Sequence, residues 1–230
     1  MRGGRKHATS LASGWNSIRS MAELGKFERK LPEDRRRTLI AATLACLARE
    51  GHAGLSIRKI SKEAGISIGL INHHYGGKDE LVGHAYETMS LALLENIETM
   101  VAAAGDDPRA RLSAYFRASL SAPVMEKSTL RTWVVFWGMI EHSPAMTDVH
   151  DRTYAEYRRL LSALLKDFFA SRGWPEPDVR LAAIGIVAML DGLWLEWCLN
   201  PEIFTPEEAI GLCERWADVF LNASAPRAIP

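Results

Sequence analysis

The residues whose types and spacing carry the most specific chemistry lie between Ser56 and Lys78, in SIRKISKEAGISIGLINHHYGGK. Ser56 and Ser67 each stand just before a run with apolar residues at helical spacing, where a hydroxyl accepts one of the orphan N–H groups of a helix start. The first run places Ile57, Ile60, Ser61 and Ala64 at that spacing, and Gly65 stands where a helix stops in a left-handed conformation. Two short helices across a three- to four-residue turn containing Gly form a helix-turn-helix, whose second helix enters the major groove of DNA. On this reading Ser67, Ile68, Asn72 and His73 face DNA, while Ile66, Leu70 and Ile71 point into the small domain. Asn72 can pair with adenine, Ser67 and His73 can reach base edges or phosphate, and Ile68 can touch a thymine methyl. Lys78 suits a phosphate contact that fixes register without reading sequence. The competing reading of these residues is a helical hairpin with a solvated polar face.

A second group with chemistry is aromatic. In RTWVVFWGMIEH, Trp133, Phe136, Trp137 and Ile140 share one helical stripe; in MLDGLWLEWCL, Asp191, Trp194, Leu195 and Cys198 do the same, with Trp197 at the flank. Such stripes are more often core than ligand site. Three Trp on two helices with Glu141, Asp191 and Glu196 nevertheless suit an organic cation, because indole faces attract quaternary ammonium and a carboxylate supplies counter-charge, each ring contributing about 0.5–2 kcal/mol.

The elements needed to position these groups are helical throughout. A helix begins near Pro32, with Glu33 and Asp34 at the positive end of its dipole, Ile40, Leu44 and Leu47 as an inner stripe, and Gly51 as its end. With the two short helices it completes a three-helix head. Further helices are expected over 79–104, 108–120, 127–142, 144–172, 177–199 and 206–222, with Pro123, Pro144, Pro175, Pro201 and Pro206 at most of the joints. No run alternates with strand period, and there is no internal repeat. The expected fold is all-α: a flexible basic arm at 1–31, a three-helix helix-turn-helix domain at 32–78, a helical effector-binding and dimerisation domain at 79–222, and a tail at 223–230. The arm could add salt-sensitive affinity for DNA, or be an extension upstream of a start at Met21.

The 28 Lys plus Arg balance 28 Asp plus Glu, which by itself argues against a nucleic-acid partner. Residues 1–80, however, hold 15 Lys plus Arg against 8 Asp plus Glu, a net of +7, and residues 81–230 hold the compensating −7. That is the distribution expected when one end of a chain meets phosphate.

The segment AGISIGLINHHYGGKDEL resembles the TetR family of bacterial repressors, through Ser67, Gly69, Leu70 with Ile71, His73, Tyr75, Lys78 and Leu81. Asn72 and His74 depart from the aromatic residues common at their positions, which bears on the operator sequence rather than the fold. WVVFW, the YAEYRRLLSALL helix and MLDGLWL further resemble the BetI type, repressors of choline uptake and of its oxidation to glycine betaine. The resemblance spans roughly 34–220. It implies a homodimer held by the 177–199 and 206–222 helices, a double-stranded operator with half-sites one or more turns apart, roughly 34 Å each, and a small-molecule effector. The implied DNA-binding set is Ser56, Arg58, Ser67, Ile68, Gly69, Asn72, His73, Tyr75 and Lys78. The implied ligand pocket is Trp133, Phe136, Trp137, Glu141, Asp191 and Trp194, with choline or a related cation as effector; a different amphipathic or cationic ligand, or a metal or redox sensor on the same fold, is the alternative.

Cys46, Cys198 and Cys213 are widely separated and read as buried thiols rather than a disulfide or metal set. His73 and His74 are adjacent and diverge on a helix, and no nucleophile or glycine-rich phosphate loop accompanies the acid–base groups, so neither a metal, a cofactor nor catalysis is expected. The apolar runs read as interrupted by charge well short of a membrane span, Arg2, Arg5 and Lys6 are followed by no apolar core of a signal peptide, and a cytoplasmic location without membrane contact is expected.

Overall fold

The computed structural model describes residues 32–173 and 178–223. The arm at 1–31, the Pro175 joint, the start of the 177–199 helix and most of the tail lie outside the described residues.

Among the described residues every regular element is a helix: α1 Pro32–Gly54, α2 Ile57–Ala64, α3 Ile68–Tyr75, α4 Lys78–Ala103, α5 Pro108–Leu120, α6 Lys127–Ile140, α7 Pro144–Arg172, α8 Val179–Leu199 and α9 Pro206–Ala223. The chain forms two compact units. Of the described residues, one holds 32–92 together with Arg131–His150; the other holds Leu93–Leu130 together with 151–173 and 178–223. α4, α6 and α7 each contribute to both.

In the first unit, α1 carries Glu33 and Asp34 in its first turn and is broken at Gly51, whose φ of 66° is left-handed. Its inner stripe is centred on Leu39, Thr43, Cys46 and Leu47, all buried, while Ile40 is only half-buried. Of the expected stripe, Leu44 and Leu47 are buried and Ile40 is half-buried, and the buried face is wider than expected because it takes in Leu39 and Cys46. Ser56 caps α2 by accepting the Lys59 N–H, and Ser67 caps α3 by accepting the Leu70 N–H. Gly65 closes α2 at φ 64°, its N–H bonded to the Ser61 carbonyl, and Gly76 closes α3 at φ 63°. Ile60, Ile71 and Leu81 are fully buried, each contributing about 1.5–3 kcal/mol by removal from water.

The turn depends on Gly65 for backbone conformation, since a Cβ there would meet nothing within 4 Å. Gly65→Ala is therefore expected to cost about 1–2 kcal/mol through the left-handed φ alone, lowering the melting temperature by roughly 2–8 °C. An unchanged thermal unfolding curve would show that the turn does not need glycine.

In the second unit, Leu112, Phe116, Leu161, Leu165, Phe169 and Ile186 are buried, and α5 packs on both α8 and α9. Asp107 and Asp178 cap α5 and α8 through the Ala110 and Leu181 N–H groups. Arg109 joins α5 to α9, donating to Asp218 Oδ1 at 2.9 and 3.0 Å and pairing with Glu214.

α8 corrects one expectation. It is long and apolar enough to cross a membrane by length and composition, and only a third of its most apolar window is buried in the fold. Between Leu181 and Leu195 only Asp191 is charged. The run is nearly continuous because α8 is apolar on two faces: one packed in the core, the other open with Leu181, Ile184, Leu195 and Leu199 exposed.

Candidate DNA-reading surface and effector site

α2 and α3 meet across the Gly65–Ser67 turn with Ser67, Gly69, Asn72 and His73 exposed, Ile68 and Leu70 half-buried, and Ile71 buried against the head. Arg58 is exposed on α2, Ser56 is half-buried with its hydroxyl used as a cap, and Lys78 is half-buried with its ammonium 3.7 Å from Asp79. Tyr75 is the member of the expected DNA set that the fold places in the core. It is 3% exposed, its ring centroid lies 5.3 Å from that of His84, and burial pushes its phenol upward. Tyr75 lies four residues on from the buried Ile71, on the same face of α3, which is why it turns inward. Lys59, next to Arg58, is held by Glu50 and the Gly54 carbonyl.

Charge around α3 comes partly from α1. The His74 imidazole is held below its ordinary value by burial first, then by the positive charges of His73, Arg36 and Arg35. Its Nε2 is buried without a hydrogen-bond partner. Arg36 and Arg37 are exposed. The α1 arginines therefore add to the field beside the reading helix, a contribution that sequence reading passed over because Glu33 and Asp34 were weighed only against the helix dipole. Their signal was the triplet Arg35–Arg37 itself.

The expected aromatic box divides between the two units. In the first, Trp133 and Phe136 are buried around Tyr86 of α4, with centroids 5.9 and 4.9 Å from its ring, and the Tyr86 hydroxyl lies 2.9 Å from His150 Nδ1. Trp137 is half-buried and Glu141 is exposed beyond the end of α6 at Ile140. In the second unit, Asp191 is half-buried and accepts a hydrogen bond from the Tyr154 hydroxyl at 3.3 Å. Its carboxyl is pushed up to about 7, by burial first, with the Tyr154 hydrogen bond and the Arg158 charge pulling it back. Tyr115 is buried and its phenol is raised, by burial first and then by the Asp191 charge. Tyr157 lies edge-on to Tyr154 at 5.5 Å, and Trp194 is buried with its indole N–H donated to the Ser119 carbonyl at 2.8 Å. Sequence reading missed Tyr115, Tyr154 and Tyr157; the tyrosine pair three apart in YAEY was visible, but its register toward Asp191 was not. A cleft of about 600 Å³ also opens in this unit, among Met100, Ala104, Arg109, Ser113 and Asp218.

All three cysteines are free thiols; Cys46 and Cys213 are buried and Cys198 is half-buried. Burial raises the Cys46 and Cys213 thiols, the latter to about 12. Among the described residues no group of three His, Cys, Asp or Glu converges as a metal site.

Two family models match the chain: residues 39–85 match the bacterial regulatory proteins of the tetR family, and residues 108–222 match the C-terminal part of BetI-type transcriptional repressors. The chain is a TetR-family regulator of the BetI type. The HTH-type transcriptional regulator BetI 2 of Chromohalobacter salexigens is 34% identical over 193 residues, covering 82% of this chain and 89% of that protein. BetI of Stenotrophomonas maltophilia is 34% identical over 191 residues, 83% of this chain and 95% of that one. A solved transcriptional regulator from Pseudomonas aeruginosa PAO1 superimposes with a TM-score of 0.79 at 46% identity, covering 86% of this chain and 95% of that chain. A regulator from Saccharomonospora viridis, solved in complex with choline, shares the fold at a TM-score of 0.72 and 17% identity, covering 81% of this chain and 96% of that one. These BetI-type relatives are transcriptional regulators, not enzymes, and a DNA-binding repressor role fits the chain.

Proposed function

We propose that this TetR-type regulator is a cytoplasmic homodimeric repressor that binds a near-palindromic operator through the 32–78 region and leaves it when a small cation of the choline type occupies the 79–222 region. The reading of DNA rests on one observation above all: Ser67, Asn72 and His73 are exposed on a helix capped and stopped at both ends, within electrostatic reach of Arg35 and the exposed Arg36. Asn72 is the residue best suited to read a base, its amide matching adenine, while Arg58 and Lys78 meet phosphate. The effector class is supported by the BetI-type C-terminal match, by the choline in the S. viridis regulator, and by the tyrosine-lined carboxyl at Asp191. An effector can shift operator affinity only through different affinities for two states of the body. α4, α6 and α7, which run through both units, are the elements through which those states would reach the head.

The test is fluorescence anisotropy on DNA upstream of the protein's own gene at fixed salt, with and without millimolar choline. Specific binding released by choline is expected. Binding that ignores choline would remove the effector class and keep the repressor, and no preference over a scrambled duplex would remove autoregulation. Asn72→Ala is expected to lose about 1–3 kcal/mol of specific affinity while leaving the salt dependence unchanged, because a base contact releases no counterions. A variant that loses affinity equally for the operator and for a scrambled duplex would make Asn72 a backbone contact instead.

A further inference from the structure

The second unit holds a carboxyl group in surroundings that ordinary packing does not require. Asp191 stands on α8 between the buried Val187 and Trp194, one helical turn from each. Two other helices bring tyrosines toward it: α5 supplies Tyr115, close enough for the Asp191 charge to raise its phenol, and α7 supplies Tyr154, hydrogen-bonded to Oδ1, with Tyr157 edge-on beside it. The three rings are 2%, 7% and 5% exposed, whereas Asp191 itself is only half-buried. An acid needed only to cap or bridge would sit in water or against a basic partner. This one accepts a hydrogen bond from a buried tyrosine hydroxyl and lies within electrostatic reach of the buried Tyr115, with Arg158, half-buried and four residues on from Tyr154, acting on it through space.

We propose that Asp191, with Tyr115, Tyr154 and Tyr157, is the subsite for the methylated ammonium head of an organic cation. The proposal rests on the effector reading above and gives it a place. Tyrosine faces attract a weakly hydrated cation through their quadrupoles, and a carboxylate supplies the full counter-charge. Tyr154 engages one carboxylate oxygen through its hydroxyl, and that hydrogen bond must yield or rotate as the head enters. A phenol can do this by changing its O–H torsion without moving its ring.

A bound cation then takes the place of a proton on the Asp191 carboxyl. Burial raises the Asp191 carboxyl from 3.8 to about 7, against the opposing pulls of Tyr154 and Arg158, and the groups facing it are Tyr115 from α5 and Tyr154 and Arg158 from α7. Near neutral pH the free protein is about half protonated here, so binding of a cation expels about half a proton per site to solvent. The sign is fixed: the cation needs the ionised acid, so affinity falls as pH drops below about 7, by about tenfold between pH 8 and pH 6. The same protonation favours the unliganded fold, a contribution fully present below 3.8 and lost as pH rises through about 7.

The experiment is isothermal calorimetry on the full-length protein with choline and with 3,3-dimethyl-1-butanol, its uncharged isostere, in two buffers of different ionisation enthalpy at pH 6, 7 and 8. Operator binding is measured on the same samples. Choline is expected to bind with proton release near neutrality and the isostere to bind far more weakly. Asp191→Asn is expected to weaken choline roughly ten- to hundredfold and abolish its pH dependence, since the amide neither ionises nor supplies counter-charge. Should Asp191→Asn fail to fold, Tyr154→Phe serves instead: losing the hydrogen bond that stabilises the ionised acid moves the midpoint of the pH profile upward. Equal affinity for choline and its isostere, or a choline affinity indifferent to Asp191→Asn or to pH, overturns the assignment. Absence of choline binding with operator binding intact overturns it too and leaves the repressor standing, whereas loss of operator binding in the unmodified protein strikes the repressor reading itself.

Discussion

Replacing Leu181 or Leu199 with glutamate is expected to leave a folded monomer with at least a hundredfold weaker operator binding. Leu199 is 72% exposed, Leu181 55% and Ile184 41%, all on α8, and α9 adds Leu212 and Val219, the latter 71% exposed. Glycine and alanine at 185, 188 and 192 lie between the exposed α8 leucines, and a Cβ at Gly185 or Gly192 would meet nothing within 4 Å. Apolar side chains around small residues are what a second helix needs for close approach, and a contiguous exposed apolar patch of this kind marks an interface. In a two-fold dimer the face meets its own copy, so one glutamate per chain buries two uncompensated charges. Operator affinity then falls because two half-sites are no longer bound as one event, an effect of 10² to 10⁴ without any change at the DNA contacts. Sedimentation velocity and operator titration on the same sample check this. A Leu181→Glu protein that stays dimeric with unchanged operator affinity would take α8 out of the proposed interface.

The head was more legible in the sequence than the body, for a physical reason. Caps and turns are local: Ser56, Gly65, Ser67 and Gly76 satisfy or end helices through atoms within five residues, so the helix boundaries at Ile57, Ala64 and Ile68 could be read from residue types. Prolines did the same for α5, α7 and α9. What periodicity could not give was rotation about the axis. α1 buries Leu44 and Leu47 as read but widens its face to Leu39 and Cys46, and Tyr75, one turn on from the buried Ile71, went inward. Sites built from several helices were less legible still. The spacing of Trp133 and Phe136 was read correctly as one face, yet the partner of that face is Tyr86, 47 residues away in sequence, and the partners of Asp191 are tyrosines on α5 and α7. Long-range register of this sort has no signature within a single helix.

The same reasoning predicts how α6 answers to mutation. Trp133→Ala is expected to lower stability by about 3–5 kcal/mol, a fall in melting temperature of roughly 6–20 °C. Trp133 is 1% exposed and meets Tyr86 edge to face; Tyr86 is itself fully buried between Trp133, Phe136 and His150, with its hydroxyl bonded to the imidazole. Removing the indole would open a void beside a tyrosine whose ring and hydroxyl are both held in place, so the neighbours can collapse only by breaking that hydrogen bond. A ligand-box residue behaves differently: it is held open, and truncating it spares the empty protein while costing affinity. Trp133→Phe separates the two roles. It keeps most of the apolar volume, and for a core position it should cost far less than Ala and leave effector affinity near that of the unmodified chain. Thermal unfolding with and without choline measures both. If Trp133→Ala melted like the unmodified protein but no longer responded to effector, Trp133 would be a wall of the effector site and Tyr86 of α4 its neighbour within it.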